Sequence, residues 1–200
     1  MTDAPRTAQI DRSTRETRIR GRLTLDGTGE VGIDTGIKFL DHMLTSLAFH
    51  AGWDLTLECR GDLEVDDHHT AEDCALALGE ALDRALGDRS GITRFGTGHA
   101  PLDEALARTV LDLSGRPWPE IHLGLTREML GGLATENITH IFTSLAMAAR
   151  CALHVDVLRG ANDHHRAEAA FKATAIALRQ ATAVTSVEIR STKGSLGGQP

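Results

Sequence analysis

The sequence predicts an α+β fold made by tandem duplication of one unit of roughly 90–100 residues, because similar segments recur in the same order in both halves. The two strong pairs are HMLTSLA (42–48) with HIFTSLA (140–146), and DHHTAEDCALALGEALDRAL (67–86) with DHHRAEAAFKATAIALRQAT (163–182). A weaker match pairs RETRIRGRLTLDG (15–27) with DEALARTVLDLSG (103–115). Matches in this order indicate one supersecondary unit that is present twice.

The first unit is predicted to run strand, strand, helix, strand, helix. Alternating apolar and polar residues predict a strand over 15–25, and the turn signal DGTG that follows precedes a second strand. Apolar residues at helical spacing predict a helix over 37–50, and alternation returns in a strand over 53–60. An aspartate of the pair 66–67 suits the N-cap of a long Ala- and Leu-rich helix that ends near Gly87.

The second unit repeats this order. Its predicted elements are strands near 103–113 and 117–125, a helix near 137–149, a strand over 153–158 and a helix over 163–183. Strands that precede and alternate with helices favour a mostly antiparallel sheet with two helices packed on one face. We therefore expect two such half-units that form one integrated catalytic domain.

The expected domain limits follow from the repeat. We place a flexible N-terminal tail at 1–13, a first half-unit at 14–97, a second half-unit at 98–193 and a flexible C-terminal tail at 194–200. The segment TGHAP at 97–101 contains Gly and Pro and is the expected junction between the half-units.

The composition is globular and argues against several classes of function. Of the 200 residues, 41% are hydrophobic and 24% are charged, and the formal net charge is −7. A negative charge argues against general capture of nucleic acid or anionic lipid, and no apolar run approaches the roughly 20 residues of a membrane span. Residues 1–17 contain no stretch like a secretory signal, and the three cysteines suit a reducing compartment, so we expect a cytoplasmic protein.

Histidines at repeated positions are the unusual feature of the chain. Six of the ten histidines occupy equivalent positions in the two units. On a helix, residues four apart share a face, so His68 points with Glu72. For the same reason His164 points with Glu168. Each pair offers a metal ion one imidazole nitrogen and one carboxylate oxygen.

The remaining repeated histidines extend this ligand set. His69 and His165 diverge from the pairs by about 100° and must point elsewhere, by pseudo-symmetry towards the site of the other unit. His42 and His140 offer one further ligand each, which is enough for two sites of three histidines and one glutamate. Imidazole and carboxylate without cysteine favour a six-coordinate ion with open positions, such as Mn²⁺, with Fe²⁺ or Zn²⁺ as competitors. Open positions indicate an exchangeable ligand and therefore catalysis.

Six motifs resemble those of the imidazoleglycerol-phosphate dehydratase family, over about residues 14–194. They are FLDHM (39–43), DDHHTAED (66–73), GITRFG (91–96), DLSGRP (112–117), NDHHRAEAAFKA (162–173) and STKG (191–194). The doubled HHxxE motif is highly specific. Two departures accompany the match: Thr45 and Ser46 replace an acidic residue and a glutamine found in several members, and residues 119–132 have no clear counterpart.

The resemblance implies a lyase of histidine biosynthesis that converts D-erythro-imidazole glycerol phosphate to imidazole acetol phosphate and water. It also implies a duplicated ribosomal protein S5 domain 2-like unit, two Mn²⁺ ions per active site, and sites formed between subunits of a homo-oligomer of twenty-four. Binding the substrate's ring as imidazolate between the metals would let it expel hydroxide through a diazafulvene-like intermediate, with proton transfer by a carboxylate.

The resemblance further implies roles for individual residues. Site 1 would consist of His42, His69, His164 and Glu168, and site 2 of His68, Glu72, His140 and His165. The implied catalytic carboxylates are Glu16, in the family's acid–base position, together with Glu72 and Glu168. Substrate contacts are expected from Glu16, from the metal-binding histidines His42, His68, His69, His164 and His165, and from His50, Arg94, Arg116, Lys172, Ser191, Thr192 and Lys193.

Two other functions are compatible with the histidine pattern. A dinuclear metal hydrolase would act on a phosphoester, but it usually needs a bridging carboxylate that no Asp of the ligand set supplies. A metal-storage or assembly protein would use the histidines to join subunits and would leave the Arg, Lys and Ser contacts unexplained. The residues favour a Mn²⁺-dependent hydro-lyase.

Overall fold

Two four-stranded sheets, a short hairpin and four helices appear in the computed structural model, which describes residues 5–192 and Leu196. The first half contains β1 (Thr7–Ser13), β2 (Thr17–Thr24), β3 (Val31–Asp34), α1 (Lys38–Ala51), β4 (Asp54–Gly61) and α2 (His68–Leu86). The second half contains β5 (Phe95–Leu102), β6 (Ala105–Asp112), β7 (Trp118–His122), β8 (Met129–Leu130), β9 (Leu133–Ala134), α3 (Thr135–Ala148), β10 (Ala152–Arg159) and α4 (Asp163–Thr182).

The two large sheets have the same topology. Their strand orders are β1-β2-β4-β3 and β5-β6-β10-β7. In each sheet two strand pairs are antiparallel, and the last pair, β3 with β4 or β7 with β10, is parallel. The parallel pairs arise because a helix connects their strands, α1 in the first half and α3 in the second. The predicted α+β duplication with mostly antiparallel sheets is confirmed.

The helices cover one face of each sheet and meet in the middle of the molecule. α2 lies against β1 and β2, and α4 lies against β5 and β6. Across the middle, α1 contacts α4 and α2 contacts α3, so each helix pair joins the two halves. The strands bury alternate residues, as in β1, where Ala8 and Ile10 are buried. The main core therefore lies between the sheets.

A glycine lets α2 and α3 approach each other closely. A Cβ atom added at Gly79 would lie 2.7 Å from Ala148 Cβ and 2.8 Å from the Leu145 carbonyl oxygen. Just after α2, the buried Arg89 donates a hydrogen bond of 2.9 Å to the carbonyl oxygen of Ala149 at the end of α3. This contact satisfies a carbonyl group that the helix end leaves unpaired.

The N-terminal segment corrects one expectation. Thr7–Ser13 form β1, so the tail expected at 1–13 is wrong for these residues. The sequence signal for this strand is weak because only Ala8 and Ile10 are apolar within it. Pairing with β2 from Thr7 to Ser13 nevertheless satisfies the backbone of the segment.

The boundary between the halves is also corrected. The segment 97–101, expected as the junction, lies inside β5, and so does the predicted boundary between residues 97 and 98. The buried positions of β5 are Gly96, Gly98 and Ala100, which resemble a turn in sequence. In the fold these small residues face α4, which lies against β5. The connection between the halves therefore lies before Phe95.

The hairpin of β8 and β9 has no counterpart in the first half. It lies between β7 and α3, and it lengthens the connection that in the first half runs directly from β3 to α1. Residues 119–132, which have no clear counterpart in the family motifs, span most of β7, the following loop, β8 and the turn before β9. An insertion at this point explains why the offset between matching segments is 88 residues before it (15–27 with 103–115) and 98 residues after it (42–48 with 140–146).

The expected C-terminal tail at 194–200 lies outside the described residues, apart from Leu196. Among the described helices, none has the length and apolar character needed to cross a bilayer.

Gly79→Ala should destabilise the protein through the contact of α2 with α3. Overpacking costs about 1–3 kcal/mol, offset in part by the roughly 1 kcal/mol by which alanine favours a helix over glycine. Urea unfolding followed by circular dichroism should show a lower midpoint. Gly32→Ala is the control, because a Cβ at this position of β3 meets no atom within 4 Å. Equal midpoints for Gly79→Ala and the wild type would show that α3 moves aside without cost.

Candidate metal centres and active site

The first histidine cluster lies between α1 and α4 and joins the two halves of the chain. It contains His42 from α1 and His164 and Glu168 from α4, and is named the Glu168 cluster. The Nε2 atoms of His42 and His164 lie 3.3 Å and 3.1 Å from the same oxygen, Oε2 of Glu168. The spacing of four residues puts His164 and Glu168 on one helix face, as predicted. Two imidazole nitrogens and one carboxylate thus converge.

Lys172 and Phe39 surround this cluster. Lys172 Nζ lies 2.7 Å from Glu168 Oε1, the oxygen that does not face the histidines. Burial acts to raise the pKa of Glu168, but Lys172 and the neighbouring imidazoles outweigh it and lower the pKa. The Phe39 ring contacts the His164 ring edge-on, with centroids 5.2 Å apart. Glu168 therefore stays ionised, which is the form that binds a cation.

The second cluster lies between α2 and α3 and repeats this arrangement. His68 and Glu72 come from α2 and His140 from α3, and the group is named the Glu72 cluster. His140 Nε2 lies 3.1 Å from Glu72 Oε1, and His68 Nε2 lies 3.5 Å from Glu72 Oε2. Asn137 Oδ1 lies 2.8 Å from His68 Nδ1. Because this oxygen accepts the Nδ1 proton, the Nε2 lone pair faces the cluster.

The donor atoms of both clusters fit a metal ion. In each cluster the three ligand atoms lie within 4.8 Å of one another. His140 Nε2 is buried and makes no hydrogen bond with any described residue, although Glu72 Oε1 lies 3.1 Å away. A buried nitrogen of this kind is costly unless something binds its lone pair. Nitrogen and oxygen donors without sulfur fit Mn²⁺ better than a closed structural zinc site.

His69 and His165 point away from both clusters within one chain. His69 Nδ1 lies 3.0 Å from Asp62 Oδ2, and His165 Nδ1 lies 2.8 Å from Glu104 Oε2. The Asp62 carboxylate raises the pKa of His69, and the Glu104 carboxylate raises that of His165. Each predicted set of four ligands is therefore present as three in one chain, and the fourth histidine lies elsewhere.

Glu16 lies in the turn between β1 and β2, beside His69. Its Oε1 atom is 3.7 Å from His69 Nε2, and its side chain is half exposed. The buried Asp73 carboxylate of α2 anchors the turn, accepting hydrogen bonds from Thr17 Oγ1 at 2.5 Å and Arg12 Nη2 at 2.8 Å. Asp73 is four residues after His69, so one face of α2 carries both His69 and the aspartate that anchors the turn of Glu16.

Two further predicted substrate contacts, besides the histidines of the cluster, lie near the Glu168 cluster. Lys172 contacts Glu168 directly, and the pKa of His50 is lowered by burial first and by the charge of Lys172 second. Arg116 is exposed in the loop between β6 and β7. Lys193 lies outside the described residues.

Arg94 is held by an internal ion pair. Its Nε and Nη2 atoms donate to the two carboxylate oxygens of Asp112 at 2.7 Å and 2.9 Å. Its Nη1 atom donates to the Arg190 carbonyl oxygen at 2.6 Å, next to Ser191 and Thr192. Within one chain, Arg94 therefore fixes the C-terminal segment that carries these residues, and its contact with substrate stays a prediction.

Three residues that orient the histidines have no recognisable motif and are missed by sequence analysis. Asp62, Asn137 and Glu104 each place an oxygen at the Nδ1 atom of a predicted metal ligand. Hydrogen bonds from the Asn162 amide and then from His165 lower the pKa of Glu104 to about 2. A sequence signal exists only for Glu104, which aligns with Glu16 in the weak match of the two units.

Comparison with known proteins gives one consistent result. The family model for imidazoleglycerol-phosphate dehydratase matches residues 35–178. The imidazoleglycerol-phosphate dehydratase of Phaffia rhodozyma is 56% identical over 96% of both chains. That of Phytophthora nicotianae is 58% identical over 96% of this chain, which spans only 42% of that longer protein. The crystal structure of the Staphylococcus aureus enzyme has a TM-score of 0.81 and 37% identity, covering 90% of this chain and 99% of that one.

Asp73→Ala should loosen the turn that carries Glu16 and lower the stability of the protein. The substitution leaves the buried Thr17 hydroxyl without its acceptor, which costs about 1–3 kcal/mol. The matched control is Glu80→Ala, because Glu80 also contacts Arg12, at 3.6 Å, but is half exposed. The loss of stability in Glu80→Ala should be below about 1 kcal/mol. Thermal unfolding distinguishes the two, and an equal or larger loss for Glu80→Ala would contradict the anchoring role.

Proposed function

Since the chain belongs to the imidazoleglycerol-phosphate dehydratase family, whose members are lyases of histidine biosynthesis, we propose that it dehydrates D-erythro-imidazole glycerol phosphate at sites built from its two clusters. The observation that carries this proposal is the pair of clusters, each with two histidines and one glutamate drawn from both halves of the chain. The substrate is a small phosphorylated imidazole. Neither nucleic acid nor membrane is a partner, and the reaction takes place in the cytoplasm.

We assign one Mn²⁺ ion to each cluster, two per active site. The close donor atoms, the buried His140 Nε2 and the ionised Glu168 support this assignment. Fe²⁺ and Zn²⁺ compete for the same ligands, because imidazole and carboxylate bind all three ions. When bound, the ions would supply Lewis acidity that favours the imidazolate form of the substrate's ring.

The fourth ligand of each site comes from a neighbouring copy of the chain. His69 and His165 are turned away from the clusters of their own chain. In each ring Nδ1 contacts a carboxylate, and Nε2 lies on the other side of the ring. In this proposal, His69 of one copy completes the Glu168 cluster of another, and His165 completes the Glu72 cluster. A homo-oligomer of twenty-four subunits with sites at subunit interfaces provides these contacts. The oligomer makes every copy both a donor and an acceptor of ligands.

Glu16 reaches the active site together with His69. The two side chains are 3.7 Å apart in one chain, so an interface that inserts His69 into a neighbouring site inserts Glu16 as well. Dehydration removes hydroxide from the carbon attached to the ring and a proton from the next carbon, and the resulting enol becomes the ketone. A half-exposed carboxylate beside the substrate's ring can accept this proton and can return a proton when the enol becomes the ketone. Glu72 and Glu168 bind the metals.

The phosphate group requires a separate cationic site, because the chain as a whole is negatively charged. Lys172 lies at the Glu168 cluster, and Arg94 orders the segment of Ser191 and Thr192. Together with Arg116, Lys193 and His50, these residues would surround the phosphorylated end of the substrate. Arginine suits this role because its guanidinium binds phosphate oxygens at two points.

Turnover should depend on added metal. Protein stripped with a chelator should form no ketone from imidazole glycerol phosphate, and Mn²⁺ should restore product formation, because the ring needs a Lewis acid. The ketone is measured directly and inorganic phosphate in parallel. Full metal occupancy without ketone would refute the dehydratase proposal, and release of phosphate would favour a hydrolase.

The shared site predicts complementation between inactive variants. His42→Ala and His69→Ala should each abolish activity, because both remove ligands of site 1. In co-expressed mixed oligomers, about a quarter of these sites should receive intact ligands from two chains, so activity should return to that extent. The matched control is His42→Ala co-expressed with His164→Ala, whose ligands belong to the same chain's cluster. Recovery in the control, or none in the test pair, would contradict the exchange of His69 between copies.

A further inference from the structure

Glu104 occupies the position in the second half that Glu16 occupies in the first. Glu16 lies between β1 and β2, and Glu104 lies between β5 and β6. The segments around them match in sequence, RETRIRGRLTLDG with DEALARTVLDLSG. The two glutamates are therefore related by the duplication, but only Glu16 has a proposed role in proton transfer.

Their side chains make different contacts. Glu16 Oε1 lies 3.7 Å from Nε2 of His69, on the side of the ring that would face a metal. Glu104 Oε2 lies 2.8 Å from Nδ1 of His165, on the opposite side of the ring. Its other oxygen accepts hydrogen bonds from the backbone amides of Ala161 and Asn162, at 3.0 Å and 2.8 Å. Glu104 is thus fixed at both oxygens.

The difference follows from the residue that comes directly after β4 in the first half and directly after β10 in the second half. In the first half this residue is Asp62, which follows β4 and contacts His69 Nδ1. In the second half it is Gly160, which follows β10 and has a φ of +148°. A Cβ at Gly160 would lie 2.8 Å from Arg166 Cγ and 2.9 Å from Ala105 Cβ. The second half has no room for an aspartate there, so the carboxylate must come from another element.

We propose that Glu104 is a positioning residue that orients His165 towards site 2, replacing in the second half the carboxylate that Asp62 supplies to His69. This inference rests on the proposed function, because the oriented Nε2 atom is a metal ligand there. Asp62 leaves Glu16 available for proton transfer. Glu104 is committed to His165 and to the loop before α4. Of the two turns related by the duplication, the first thus carries the acid–base group Glu16. The second carries Glu104, which supports a metal ligand.

Mn²⁺ binding to the intact oligomer tests this assignment. Glu104→Gln can keep its single oxygen on the Ala161 and Asn162 amides, but its NH₂ group then faces Nδ1 and forces the proton onto Nε2. We expect one of the two Mn²⁺ sites per chain to weaken about 10- to 100-fold in calorimetric titration, and anomalous maps to show the loss at the Glu72 cluster. Asp62→Asn should weaken the Glu168 site instead. Glu120→Gln is the control, because Glu120 also contacts a histidine, His122, at 2.7 Å, but on β7.

Kinetics separates positioning from proton transfer. Saturating Mn²⁺ should return the kcat of Glu104→Gln to within a few-fold of wild type, since the metal restores the site by mass action. Glu16→Gln should stay inactive at every Mn²⁺ concentration. Unchanged affinity of both sites in Glu104→Gln would overturn the assignment while leaving the dehydratase proposal intact. A wild-type protein that binds no Mn²⁺ would overturn both.

Discussion

Contacts between helices of different halves determine where the site residues lie. The Glu168 cluster exists because α1 packs on α4, and the Glu72 cluster exists because α2 packs on α3. Neither half could build a cluster alone, because His42 and His140 lie on the opposite half from the glutamates that they contact. The close approach at Gly79 and the link from Arg89 to the end of α3 therefore support the ligand geometry as well as the fold.

Much of this arrangement can be predicted from the sequence because it depends on local spacing. The i, i+4 spacing of His68 with Glu72 sets a helix face whatever the tertiary packing, and the repeat transfers the same result to the second half. The strands β1 and β5 are harder to predict. β1 has two apolar residues, and β5 buries glycines where a core strand usually buries branched side chains. Only the packing of α4 on β5 explains those glycines.

The residues that support the ligands depend on contacts between distant segments, which spacing does not reveal. Asn137 meets His68 across the α2–α3 contact, and Asp73 of α2 meets Arg12 of β1 and Thr17 of β2. In the proposed function, His69 and His165 contact another copy of the chain. Spacing shows that they diverge from their neighbours, but it does not show whether the target lies in the same chain or in another copy.

The duplication supplies two similar clusters, but the proposed chemistry needs them to differ. Asn137 at the Glu72 cluster corresponds to Phe39 at the Glu168 cluster, and Lys172 beside Glu168 corresponds to Leu76 in the first half. The turns differ in the same way, since Asp73 anchors the turn of Glu16 and the corresponding residue of α4 is Ala169. Without an aspartate at this position of α4, Glu104 anchors its own turn through the Ala161 and Asn162 amides. A carboxylate committed to its own turn is poorly placed to transfer protons, so in the proposed function the presence of Asp73 in the first half decides which half supplies the acid–base group.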